Sequence, residues 1–377
     1  MTAFLDNYFF YCLGVMAVPA AALGIAGRRL WQYGLFASGI FILLIYGAPG
    51  GGLIYFIVFL LWSYVAAAVY SKLGARRNAA LFSVFLTLAL LPLAVAKSAL
   101  GLMTFRFAGI SYMTFRTVQF IVGVKEGKTE SVRPHEFAYF VLFFPALSSG
   151  PIDRLRRFTD DMRARRTREE YLELLRDGIW KFAVGALYSF AIAPAINAYA
   201  LEPLDAMKGA IPVAAYAYVY TIHLFFNFAG YSALAVGTSC VFGIKTPDNF
   251  NMPFLSRDMK EFWTRWHVSL SSFFRDYIYG KFVAACLKRR AFGNSRAASY
   301  LGAMLTMLVM GVWHGYGARF IVYGVYHGAF MCANEWLDIK TKWFKRLKKH
   351  TFGSILCTFF TFHIVAFGML IFSGKLF

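Results

Sequence analysis

Leu53-Ile-Tyr-Phe-Ile-Val-Phe-Leu-Leu-Trp-Ser-Tyr-Val-Ala-Ala-Ala-Val-Tyr70 contains no charged side chain. As a helix rising 1.5 Å per residue it covers about 27 Å, close to the ~30 Å hydrocarbon core of a bilayer. A water-soluble surface helix keeps a charged or polar stripe, and this stretch has none. Lys72, Arg76 and Arg77 follow it. An apolar run closed by basic residues is the pattern of a transmembrane helix that ends on the cytoplasmic side.

The same pattern repeats outward in both directions. Apolar runs at 8–26, 30–46, 79–96, 107–124, 178–200, 212–230, 299–313, 319–337 and 352–373 bring the count to about ten spans. The run Phe137 to Leu147 is too short to cross and is punctuated by Pro145 and Pro151. It predicts a re-entrant piece, which is tolerated at membrane depth only where protein covers its backbone. Arg28-Arg29, Lys125, Lys128, Arg133 and the Lys340–Lys349 stretch occupy one set of alternating loops, while Gly47–Gly50 and Glu202–Asp205 are poor in base. The positive-inside rule then places both termini on the outer side. Asp6 and the lack of a basic leader make the first run a retained span rather than a signal peptide.

Composition agrees. The 377 residues are 59% hydrophobic and only 15% charged, where soluble chains carry about 25% charged residues. That excludes disorder, collagen and coiled coil. The formal net charge is nevertheless +20, from 39 Lys+Arg against 19 Asp+Glu. Nucleic-acid binding is the first thought for so basic a chain, but in a membrane protein a cytoplasmic Lys/Arg bias explains the excess. Cys12, Cys240, Cys286, Cys332 and Cys357 show no C-x-x-C spacing and read as reduced, apolar thiols.

Two stretches are not spans. Residues 149–177 hold eight Lys/Arg and seven Asp/Glu, and Thr167-Arg-Glu-Glu170 resembles a helix start, which predicts a surface helix. Residues 245–298 hold ten Lys/Arg against four Asp/Glu, a surplus of six, and are rich in aromatics. Within them, Ser256 to Tyr279 reads as one amphipathic helix. Ser256 is its candidate N-cap, and Phe262, Trp263, Trp266, Leu270, Phe273, Phe274 and Tyr277 form its aromatic face. His267 belongs to that face, and Arg275 and Asp276 are expected near its buried end.

A second histidine, His314, ends the apolar run in Met310-Gly-Val-Trp-His-Gly-Tyr-Gly317. Ionisable groups at membrane depth are costly and mark function. His327 follows inside the next span. His223 and His363 read as bundle hydrogen-bonders, and His135 and His350 as loop residues. No metal-ligand spacing, phosphate-binding glycine loop or G-x-S-x-G elbow occurs, so no metal is expected and no enzyme nucleophile is required, a covalent route through Cys240 or Cys332 being the alternative without an adjacent base in sequence.

These elements carry a resemblance. Phe262-Trp-Thr-Arg-Trp-His267, Leu270-Ser, Phe274-Arg-Asp-Tyr277 and Trp313-His-Gly315 resemble the membrane-bound O-acyltransferase family (MBOAT). Its D-alanyl-transferring subgroup is matched by Gly109–Arg116, Phe143–Arg154 and Gly230–Phe254; Gly280-Lys281 departs from the family's Met-Arg. The resemblance implies one integral membrane domain over 1–377, with core motifs in 109–330. It also implies an all-α polytopic fold, a ring of 10–12 transmembrane helices around a thin centre pierced by a tunnel. It makes His314 the principal catalytic residue and His267 the second. Trp263, Trp266, Trp313, Arg275 and Asp276 are candidates to line the tunnel, and Lys281, Lys288, Arg289 and Arg290 to dock a carrier protein.

The implied reaction moves D-alanine from a phosphopantetheine thioester on a DltC-like carrier protein to an outer hydroxyl, in the cytoplasmic membrane. No cofactor is bound by the chain itself. A DltD-like membrane partner and a small single-span peptide are the further partners implied, beside membrane lipid. Neutral imidazole suits the chemistry, because an alcohol must lose its proton as the new bond forms. The competing readings are O-acetylation of an exported polysaccharide by another member of the family, and a transporter or flippase.

Overall fold

The computed structural model describes residue 4 and residues 6–47, 52–73, 78–97, 109–129, 131–148, 150–292 and 295–377. Among them the regular structure is helical apart from one isolated bridge between Phe250 and Trp266. Among the described residues, seven helices are long and apolar enough to cross a membrane. They are α1 (Asn7–Ile25), α3 (Leu53–Lys72), α4 (Ala79–Lys97), α8 (Arg168–Ala206), α9 (Ala210–Val241), α13 (Ser295–His314, apolar from Arg296) and α16 (Thr351–Ser373). This is a multi-pass membrane protein. Between these helices lie α2 (Trp31–Tyr46), α5 (Ile110–Lys125), α6 (Pro134–Leu142), α7 (Leu155–Arg163), α10 (Met259–Arg265), α11 (Val268–Phe274), α12 (Gly280–Lys288), α14 (Ala318–Lys340) and α15 (Lys342–Leu347).

Seven such helices stand where ten spans were expected. The difference lies in α2, α5 and α14. Helix α2 has only 16 residues. Helix α5 is buried at every residue from Tyr112 to Val124, so its apolar surface is covered by protein. Helix α14 falls outside the apolar set. The expected surface helix at 149–177 is also redrawn. Thr167 and Glu170 do form a reciprocal cap, Glu170 N–H to Thr167 Oγ1 at 3.2 Å and Thr167 N–H to Glu170 Oε2 at 2.8 Å. The helix they start continues to Ala206, so the polar start and the apolar span are one element.

The chain divides into two compact units, residues 1–186 with 231–247 and residues 187–230 with 248–377. In the first, the short run expected to be re-entrant or half-spanning forms the nine-residue α6, and protein covers its backbone. Phe137, Tyr139, Phe140 and Val141 are buried. Arg116 on α5 is also fully buried and donates to the carbonyls of Phe140 at 3.0 Å, Val141 at 3.1 Å and Ala146. Those carbonyls lie at and beyond a helix end, where no intrahelical donor remains. Gln119, one turn on, donates to the Asp153 carbonyl at 2.8 Å and accepts from Leu155 N–H at 3.0 Å. The Gly109–Arg116 and Phe143–Arg154 stretches thus hold each other.

The second unit carries both histidines. Its centre is the pair α13 and α14, packed closely through glycines. A Cβ on Gly311 would overlap the Phe320 carbonyl, and one on Gly324 would fall 2.6 Å from the Met307 carbonyl. Small residues at such crossings let backbones approach. This packing sets where the end of α13, and therefore His314, comes to rest.

Candidate active site

The stretch 256–279 is not one helix. Asp258, not Ser256, caps α10, accepting from Glu261 N–H at 2.8 Å. Ser256 is buried and donates to the Pro253 carbonyl at 2.6 Å. Helix α10 stops at Arg265, where Trp266 turns extended to bridge Phe250, with Asn251 N–H bonding the Arg265 carbonyl at 3.0 Å. His267 then takes the left-handed region, φ 44° and ψ 52°. That conformation costs a non-glycine residue roughly 1–2 kcal/mol, so it persists only because surrounding contacts impose it.

Asn249 supplies those contacts. Its carbonyl accepts Val268 N–H at 2.9 Å. Its Oδ1 accepts Ser269 N–H at 3.2 Å and Ser269 Oγ at 2.6 Å, and lies 3.4 Å from His267 Nδ1. A backbone N–H can only donate, so the bond from Ser269 fixes which amide atom is oxygen. His267 Nδ1 must then carry the proton toward Asn249, which leaves Nε2 as the basic nitrogen. Phe228 packs edge-on to the imidazole, centroids 4.7 Å apart. Burial, reinforced by the nearby His314, pushes the His267 pKa down to about 3, so the ring is neutral at ordinary pH.

His314 arrives differently, as the last residue of the 20-residue α13. Its ring is bounded by Trp313, Phe372, Tyr323 and Phe320, with centroids at 4.6, 4.9, 6.2 and 6.3 Å. His327 lies a turn beyond Tyr323, fully buried against Tyr323 at 4.5 Å and Trp263 at 5.3 Å. Neither His327 nitrogen nor Trp263 Nε1 has a hydrogen-bond partner among the described residues, and Asn249 Nδ2 is in the same position. Unsatisfied buried groups are uncommon and costly.

Of the tunnel candidates, Trp263 and Trp313 fall among these rings. Trp266 is buried in a packing nest with Phe250, Phe262 and Phe225. Arg275 and Asp276 are not at a buried end. They begin a π turn, 275–279, that breaks the helical face, and both side chains are exposed and bond each other at 3.0 Å. Lys281, Lys288, Arg289 and Arg290 are all exposed on or just after α12. His223 and His363 bond the carbonyls of Ala193 and Phe359, as expected of structural histidines. Sequence reasoning missed Asn249 as the partner of His267. Its only signal was its place in Pro247-Asp-Asn-Phe-Asn251, within a stretch that already carried the resemblance.

A polytopic helical chain with two interior histidines and no nucleophile elbow suits acyl transfer that needs no enzyme nucleophile. The sequence pattern of the membrane-bound O-acyltransferase family matches residues 77–373, and the chain belongs to that family. It is 39% identical to the teichoic acid D-alanyltransferase of Bacillus subtilis (strain 168), covering 100% of this chain and 98% of the relative. It is 35% identical to the teichoic acid D-alanyltransferase of Streptococcus thermophilus, over 98% and 94% of the two chains. Similarity to a probable alginate O-acetylase of Pseudomonas syringae, 32% identical, covers 71% of this chain and 49% of that protein.

Proposed function

We propose that the protein transfers D-alanine from a carrier-protein thioester to a hydroxyl of teichoic acid or another envelope polymer. The observation that carries this reading is the end-to-end similarity to two teichoic acid D-alanyltransferases. In this scheme the acceptor hydroxyl attacks the thioester carbonyl and its proton passes to His314. The tetrahedral intermediate expels the pantetheine thiolate, which takes the proton back. One ester forms, one thioester breaks, and no oxidant, metal or enzyme nucleophile is needed.

The tautomer argued for His267 refines its role. With Nδ1–H directed at Asn249, Nε2 carries no proton and cannot donate to an oxyanion. His267 then serves as an acceptor that orients the attacking hydroxyl, and a tryptophan N–H is the better oxyanion donor. The unsatisfied Trp263 Nε1 and His327 nitrogens are suited to the amides of the pantetheine arm. The exposed Lys281, Lys288, Arg289 and Arg290 would steer an acidic DltC-like carrier from the cytoplasmic face. The phosphopantetheine comes with that carrier, and a DltD-like partner in the cytoplasmic membrane would assist delivery of the acyl group to the polymer.

The test is transfer in membranes holding the full chain, read by mass spectrometry of the envelope fraction. D-Alanine esters appearing only with the charged carrier support the reading. Acetyl esters in their place, independent of the carrier, assign the chain to polysaccharide O-acetylation instead.

A further inference from the structure

A cleft of about 580 Å³ opens in the first unit, far from the histidines in sequence. Arg28, Arg29, Gln32, Tyr33 and Arg165 line it, with Leu23 at its apolar edge and no carboxylate in the lining. All three arginines are exposed, and among the described residues none of them forms an ion pair. Asp161 shares a second, small cleft with Arg28. Its carboxylate is already taken by Arg166 at 2.5 Å, Arg157 at 3.2 Å and the Lys245 amide at 2.8 Å. Helix α2 starts at the same place without a capping side chain, and its first intrahelical donor is Gly34 N–H, bonded to the Leu30 carbonyl at 2.8 Å. The free amides of that first turn add positive potential to the arginines. Three arginines from two chain segments line one cleft, with no counter-charge among the described residues, a setting suited to an external anion.

What surrounds the cleft says which anion. Arg28 and Arg29 lie just past the end of the spanning helix α1. On that helix Tyr11, Val15 and Val18, spaced four and three residues apart, are 73%, 68% and 71% exposed. They form an apolar stripe that leads toward the turn of Leu23. A free phosphate would use only the arginines; a phospholipid would use both surfaces. We propose that this cleft binds the phosphate headgroup of an anionic phospholipid, its acyl chains lying along the α1 stripe. Arg28 and Arg29 would be placed by topology alone in any case. Arg165, three residues before the spanning helix α8, falls under the same bias, so what sets this group apart is that arginines from two separate chain segments line one cleft.

The experiment is native mass spectrometry of the full chain in detergent, titrated with dioleoyl-phosphatidylglycerol or dioleoyl-phosphatidylcholine. Phosphatidylglycerol should be held preferentially and should stay bound in millimolar sodium phosphate. R165Q should weaken it about fivefold, and R28Q/R29Q/R165Q roughly 100-fold, with phosphatidylcholine unaffected. K340Q/K342Q/K345Q, changed in another basic stretch, should bind as the wild type does. Equal retention of both lipids, or wild-type phosphatidylglycerol binding by R165Q, overturns the proposal and returns the arginines to topology. Displacement by phosphate overturns the lipid assignment. If the triple variant does not fold, R165Q decides alone, with unchanged phosphatidylcholine binding as its control for folding.

Discussion

His267 and His314 reach the interior of one unit by opposite routes. His314 ends a straight 20-residue helix, and its placement follows from how α13 packs on α14. His267 sits where two seven-residue helices are broken apart, in a backbone conformation that Asn249 must hold. The first is bounded by rings, the second by a side-chain amide. The contrast teaches that the family's two histidines need not be equivalent bases. One is positioned by packing at the end of α13 and bounded by aromatic rings. The other has its tautomer set by a fixed acceptor.

The largest expected effect tests the first side of that contrast. His314→Ala should lower D-alanyl transfer about 10²–10⁴-fold while leaving protein levels in the membrane unchanged. Near wild-type transfer would remove His314 from the chemistry. Next, Asn249→Ala should cost about tenfold or more through His267, because the imidazole loses its tautomer. The double variant with His267→Ala should then transfer no more slowly than His267→Ala alone. Additive losses would show that Asn249 acts independently of the histidine.

A smaller effect is a pH dependence of stability. The His267 pKa is lowered on folding, from an ordinary value of 6.5 to about 3. Between those values the unfolded chain binds the extra proton, so stability rises with pH through that window and falls as pH drops below about 6.5. Thermal unfolding in detergent should show this slope, and His267→Gln should flatten it. An unchanged slope would assign the acid sensitivity elsewhere. The smallest effect belongs to Arg275→Gln and Asp276→Asn. This exposed pair should change stability by no more than about 0.5 kcal/mol and leave transfer intact. A large loss of transfer would restore the pair to the site.

The comparison also marks what a sequence can disclose. The apolar runs that became α1, α3, α4, α13 and α16 were legible because each is long and uncharged, and His314 stood out as a titratable group ending one of them. The break at Trp266-His267 was not legible. The 3.6-residue period runs unbroken through it, and the bridge that interrupts the helix pairs Trp266 with Phe250, sixteen residues earlier. Hydropathy likewise cannot say whether lipid or protein covers an apolar helix. Helix α5, walled in by protein from Tyr112 to Val124, carries the same apolar signal as a lipid-facing helix. The reversal of Arg275 and Asp276 has a similar cause, since a π turn shifts a helical face without changing its composition.

The guanidinium of Arg116 also bears on how the molecule is made. The carbonyls of Phe140, Val141 and Ala146 have nowhere else to turn in an apolar setting, and their donor precedes them in the chain by at least 24 residues. Synthesis from the N-terminus therefore delivers the donor before the acceptors that depend on it. The re-entrant piece never has to wait at membrane depth with its carbonyls bare, and the order of the letters doubles as an order of assembly.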